Sequence, residues 1–101
     1  MHLEIWWAAR ARIELSKITV FVAQRDPSRA ATLRAQIFER MEALQENPFI
    51  SSVYCFVPSV GEVREISVGT YRVFFTVDEA KNLIHVRRIR HVRQADPDFE
   101  E

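Results

Sequence analysis

Val63-Arg64-Glu65-Ile66-Ser67-Val68-Gly69-Thr70-Tyr71-Arg72-Val73-Phe74-Phe75-Thr76-Val77 reads as two β-strands joined by a tight turn. From Val63 to Val68, Arg64, Ile66 and Val68 fall on one side and Glu65 on the other, as a strand's two-residue period requires. Gly69-Thr70 is turn chemistry, because glycine takes a positive φ at no steric cost. Tyr71 to Val77 is dense in β-branched and aromatic residues, with Tyr71, Val73, Phe75 and Val77 on one face. Asp78 to Asn82 is polar and turns the chain again, and Leu83 to Val92 supplies the next strand. Three sequential strands with short connections predict an antiparallel meander.

Upstream the pattern changes. Phe49 to Val60 mixes apolar residues with Ser51, Ser52, Pro58 and Ser59, which predicts a loop carrying an edge strand at Val53 to Val57. Before it, Ala30, Leu33, Ile37, Met41 and Leu44 form a helical stripe. Asp26-Pro27 marks its start, since the carboxylate caps free N–H groups and proline suits the first helical position. Asn47-Pro48 marks its end, since the residue before proline is pushed out of the helical region. Ala11, Leu15, Ile18 and Val22 define an earlier helix, and Ile13, Val20 and Phe21 broaden its stripe, predicting contact on more than one side. His2 to Trp7 suits a first strand. The expectation is one α+β domain over residues 1–101. Residues 1–7 form a strand, 8–47 an antiparallel helical hairpin, 53–93 an antiparallel sheet and 94–101 an acidic tail.

Composition fits this picture. The chain has 101 residues, 48% of them apolar, with two glycines, which is enough for one packed core and little loop. Cys55 is the only cysteine, which excludes an intrachain disulfide and argues against a zinc cluster. Met1-His2-Leu3-Glu4 lacks the features of a signal peptide, and no apolar run nears the roughly 18 residues that span a bilayer. The reading is therefore cytoplasmic, with no membrane partner, metal or cofactor. Net charge is zero, but residues 85–93 hold four arginines and two histidines with no acid. Residues 94–101 then hold Asp96, Asp98, Glu100 and Glu101 with no base. A local positive field is compatible with a neutral whole.

The meander places Arg72 at the start of its middle strand and His91 and Arg93 at the end of the neighbouring one. All three thus lie at one end of the sheet and are expected to converge. Guanidiniums and an imidazole there suit phosphate, through planar bidentate donors and a proton exchanged near neutral pH. The bland alternative is that these arginines cover sheet edges and pair with Glu62, Glu65 or the acidic tail.

Arg64-Glu65-Ile66, Tyr71-Arg72-Val73-Phe74-Phe75 and His91-Val92-Arg93, in this order, resemble the RelE/ParE superfamily of type II toxin–antitoxin toxins. The N-terminal half agrees, with a strand ending in tryptophan, Ala30-Ala31 opening the second helix, and Leu44 followed by Pro48. The resemblance implies two helices against an antiparallel sheet, a cytoplasmic toxin, a cognate antitoxin partner and antitoxin-linked oligomers. It also implies one of two targets. RelE-like toxins cleave mRNA on the ribosome without a metal, basic side chains stabilising the charge that develops. ParE-like toxins poison DNA gyrase. The RelE lysines correspond to Val63 and Glu65 here, and its C-terminal tyrosine to a position near Phe99. Arg72 and Arg93 are kept, and His91 resembles a general acid or base of some ribonuclease relatives. The lysines and tyrosine of the nuclease branch are absent here, and the kept arginines do not decide the target because the gyrase-targeting branch shares Arg-Glu, Tyr-Arg and His-x-Arg, so the ParE-like reading is favoured. The alternatives are an endonuclease using Arg72, His91 and Arg93, and a degenerate relative that binds only its antitoxin. Target or antitoxin contacts are expected at Arg64, Arg72, Arg88, Arg90, His91 and Arg93.

Other residues receive plainer readings. Trp6 and Trp7 face opposite ways in a strand, one to the core and one outward. His2 and His85 lack neighbours at metal-ligand spacing. Tyr54 and Cys55 sit in the loop region, Cys55 as a structural thiol. Arg10, Arg12, Arg25, Arg29, Arg34 and Arg40 read as a solvated helix face open to gyrase or nucleic acid.

Overall fold

The computed structural model describes residues 2–99. Its elements are β1 (Glu4–Trp7), α1 (Ala9–Ala23), α2 (Pro27–Leu44), a 3₁₀ turn (Pro48–Ile50), β2 (Ser52–Val57), β3 (Gly61–Val68), β4 (Tyr71–Asp78) and β5 (Leu83–His91). The start of α2 is built as expected, with the Asp26 carboxylate accepting the Arg29 N–H at 3.1 Å and Pro27 at the first turn. Helix α2 stops at Leu44, and Pro48 opens the 3₁₀ turn.

The strands form one sheet in the order β1-β5-β4-β3-β2. The meander of β3, β4 and β5 is antiparallel, and β2 pairs antiparallel with β3 along one edge. At the other edge β1 pairs with β5 in parallel, from Glu4↔Leu83 to Trp7↔Val86, so the sheet is mixed. Reciprocal bonds tie the start of β1 to the end of α2. Leu3 N–H donates to the Gln45 carbonyl at 2.9 Å, and Gln45 Nε2 donates to the Leu3 carbonyl at 2.8 Å.

The edge strand expected at Val53 to Val57 is β2, which takes in Tyr54 and Cys55, while β5 ends at His91 rather than Val92, leaving Val92 and Arg93 in a turn. A bulge at Tyr54, between the Val53 and Cys55 pairings, interrupts the alternation within β2. The expected second contact side of α1 is not covered by the chain itself, since Ile13, Val20 and Phe21 are exposed.

Both sheet faces are apolar. On the helix-covered face, Leu15, Ile37, Met41 and Leu44 pack on Ile66, Val73, Phe75, Ile84, Val86 and Ile89. Trp7 joins this side, 5.2 Å from the Phe38 ring, while Trp6 is exposed, as the two-residue period requires. On the outer face a smaller cluster joins Val63, Phe74 and Phe99, with Tyr54, Cys55 and Val57 against it.

A second bulge sets the face of each residue at the end of β5. Phe74 faces Arg88 and Phe75 faces Val86, leaving Arg87 as the extra residue. Strict alternation from Val86 would have turned Arg88 and Arg90 toward the helices and Ile89 outward. The bulge reverses that choice, burying Ile89 under α1 and leaving both arginines on the outer face.

Candidate functional site

Arg72 is the centre of the outer basic face. Its Nε contacts Glu65 Oε2 at 3.0 Å and its Nη1 contacts Asp96 Oδ1 at 3.3 Å. The guanidinium lies over the Phe74 ring at 4.8 Å and the Tyr54 ring at 5.2 Å. Burial works to lower its pKa, but the bonds to Glu65 and Asp96 outweigh it and raise the pKa above the ordinary arginine value. Burial also raises the Tyr54 phenol, assisted by the nearby Asp96 charge and opposed by Arg72.

The neighbouring arginines are engaged too. Arg88 is buried, with Nε and Nη2 on the Glu14 carboxylate and Nη1 donating to the Asp98 carbonyl at 2.6 Å. Arg90 Nε donates to the Ala95 carbonyl at 3.2 Å, and its Nη1 lies 3.7 Å from Glu14. The expectation that Arg88 belongs to an exposed docking surface is therefore corrected: it is part of a buried ion pair. Arg64 lies elsewhere, bonded to Glu62 at 2.8 Å and to the Ser51 carbonyl at 2.9 Å, over the Phe49 ring at 4.9 Å.

His91 does not converge with Arg72. The register pairs Tyr71 with His91 and Arg72 with Arg90, so these two pairs point to opposite faces. On the helix side the His91 ring meets the Tyr71 ring edge-on at 5.1 Å, and its Nδ1 accepts the Arg93 N–H at 3.1 Å. That bond places the ring proton of the neutral imidazole on Nε2. His91 and Tyr71 border a cleft of about 440 Å³ between the hairpin turn and the β3–β4 turn, with Phe21, Leu33, Arg25 and Arg29 opposite. Arg93 is exposed in the turn after β5. The trio expected to form a nuclease centre is thus divided between two faces.

The sequence model of one family, described as "ParE toxin of type II toxin-antitoxin system, parDE", matches residues 5–96. The chain belongs to the ParE toxin family. Two solved structures share the fold of this ParE-family chain. One is from the chromosomal ParDE toxin–antitoxin system of P. aeruginosa, with 21% identity and TM-score 0.68, covering 89% of this chain and 96% of that one. The other is from the toxin–antitoxin complex RelBE2 of Mycobacterium tuberculosis, with 17% identity and TM-score 0.62, covering 90% and 92%. A search of curated proteins found no match. Among the described residues of the ParE-family chain, no three His, Cys, Asp or Glu side chains are grouped to hold a metal ion. No described helix is long and apolar enough to cross a membrane.

Three residues of this ParE-family site escaped the sequence reading in detail. Glu14 belongs to a helix far upstream, and nothing in its spacing announces Arg88. Asp96 and Phe99 were assigned to an acidic tail, yet Phe99 is buried and Asp96 pairs with Arg72. The abrupt change from an acid-free to a base-free segment was the available signal, and pairing with Glu62, Glu65 and the tail had been the blander alternative.

Proposed function

We propose that this toxin acts by binding DNA gyrase in the cytoplasm and is neutralised by a cognate antitoxin. The observation that carries this reading is the separation of Arg72 from His91. A metal-independent endonuclease needs its charge-stabilising and proton-transferring groups around one phosphate, within hydrogen-bond reach. Here they stand on opposite faces of the sheet, and Val63, Glu65 and Phe99 occupy the remaining nuclease positions. A binding surface has no such requirement.

The antitoxin docks on the helix side in this proposal. Ile13, Val20 and Phe21 run along the exposed flank of α1, and Phe21 continues into the cleft beside Arg25, Arg29 and His91. An amphipathic segment with an apolar face and acidic flanks fits that surface.

The test is titration of purified toxin into a gyrase supercoiling assay, with mapping of RNA ends after induction in a susceptible bacterium. Inhibition of supercoiling without new RNA ends is expected. Fresh cleavage sites that vanish in His91→Gln and Arg72→Ala would overturn the proposal and restore the ribonuclease alternative. Absence of growth arrest would mark a chain that only binds its antitoxin.

A further inference from the structure

The outer face of the sheet is occupied by the chain's own segment at residues 94–99. At its start Gln94 Oε1 accepts the His91 N–H at 2.7 Å and the Gln94 N–H donates to the His91 carbonyl at 2.9 Å, and further contacts seat the rest. Asp96 bonds Arg72 at 3.3 Å, the Ala95 carbonyl accepts from Arg90 at 3.2 Å, and the Asp98 carbonyl accepts from Arg88 at 2.6 Å. Phe99 then packs beside Phe74, with ring centroids 5.5 Å apart, and beside Tyr54 at 6.1 Å. A side-chain carboxylate, two backbone carbonyls and an aromatic ring are each met by a specific partner. The segment is irregular, so its contacts are with the sheet face rather than within an element of its own.

We infer that this face is a receptor for an extended acidic peptide with an aromatic residue three positions after its aspartate, and that residues 94–99 are a displaceable occupant of it. The receptor is preorganised. Glu65 and Glu14 fix the guanidiniums of Arg72 and Arg88 independently of the tail, so that they remain aimed when it leaves. The tail is held more weakly than a core strand. Its ion pair involves an Asp96 side chain that is 75% exposed, and such pairs contribute little in water. A partner peptide of the same chemistry replaces each contact in kind, so exchange needs no unfolding of the sheet. An acidic aromatic segment fits better than a nucleic acid strand, because Arg88 and Arg90 are met here by neutral backbone carbonyls and an aromatic ring packs beside Phe74.

Cys55 gives an independent readout. It borders the same crevice as Tyr54, Pro97, Asp98 and Phe99, and burial raises its thiol pKa. Cys55 is partly exposed with the tail in place, departure of the tail exposes it further, and as the only cysteine it reports without ambiguity.

The inference rests on the outer basic face being a binding surface, but its readout is peptide exchange rather than gyrase inhibition, so either reading fails alone. The probe is a fluorescein-labelled peptide of sequence Gln-Ala-Asp-Pro-Asp-Phe, titrated into the full chain. Asp96→Asn in the chain is expected to raise peptide affinity and the rate of Cys55 modification by a thiol reagent about fivefold each, from the loss of roughly one exposed charge contact. Because Asp96 is exposed, this variant keeps its core. Adding Arg72→Gln returns peptide affinity to the wild-type value or below, and a peptide with asparagine at its third position binds Asp96→Asn about fivefold more weakly than the aspartate peptide. Equal peptide binding by wild type and Asp96→Asn, or by Asp96→Asn with and without Arg72→Gln, overturns the inference. So does unchanged Cys55 reactivity. Tight binding of a single-stranded RNA oligomer to Asp96→Asn, with no peptide binding, reassigns the face to a phosphate backbone and also overturns it.

Discussion

Glu14 performs two tasks with one carboxylate. It takes Nε and Nη2 of Arg88, and its Oε1 accepts the Ile89 N–H at 3.0 Å. The second bond falls where β1 has given way to α1, so a side chain closes an edge that a strand has vacated. The Arg88 side chain is 7% exposed and that of Glu14 18%, so the pair sits largely out of water. Removing one partner of such a pair strands the other charge and also orphans a backbone donor. Glu14→Ala is expected to lower unfolding free energy by about 3 kcal/mol, measured by urea denaturation. The double variant Glu14→Ala, Arg88→Met should recover a substantial part of that loss, because no buried charge then remains. Additive losses in the double variant would show that the ion pair itself is not the source. None of this was visible in sequence. The two residues are 74 positions apart, and an arginine in an acid-free run looks exposed until its distant partner is placed.

At the scale of elements, the hairpin and meander were legible because their signals are local. Asp26-Pro27 caps a helix wherever it occurs, and Gly69 adopts φ +59° in the two-residue turn where the sequence placed it. The bulge at Arg87 was not legible, because inserting one residue costs nothing in composition but inverts every later assignment of face. Read by strict alternation, His91 shares the face of Arg72, and a phosphate site follows. With the bulge, His91 joins Tyr71 under the hairpin. The bulge is enforced by packing, since without it Ile89 would turn outward and Arg88 inward. Arg87→Ala removes the bond from Nε to the buried Thr76 hydroxyl, 2.9 Å long, and should cost about 1 kcal/mol. Deleting Arg87 leaves Val86 opposite Phe75 and Arg88 opposite Phe74 as regular neighbours, so Ile89 stays under α1, both arginines stay outside, and the cost should be no more than about 2 kcal/mol. A loss above about 4 kcal/mol in the deletion, measured by thermal and urea unfolding, would show that the bulge does more than set these faces.

The molecule as a whole is a sheet with a large core on one face and a small one on the other, and the two differ in how they are closed. The helix side is sealed by α1 and α2, which bring Ala11, Leu15, Ile37, Met41 and Leu44 into the main core. The outer side is sealed by a short irregular segment that includes Phe99. Sequence reading saw the first core through its helical and strand periods. It missed the second because residues 94–99 carry no period, and their acids masked the one aromatic ring that matters. This asymmetry has a measurable consequence. Truncating a buried phenylalanine commonly costs about 3–5 kcal/mol, and Phe74→Ala, at the centre of the outer cluster, should show that full effect. Phe99→Ala should cost less than about 2 kcal/mol, because the loss is capped by the free energy of releasing the tail from an otherwise intact sheet. Hydrogen exchange separates the cases. In Phe99→Ala, amides of residues 94–99 should lose protection while those of β4 and β5 keep it. If β4 and β5 lose protection in step with the tail, the segment is an integral part of one cooperative core. The outer face would then open only when the fold does.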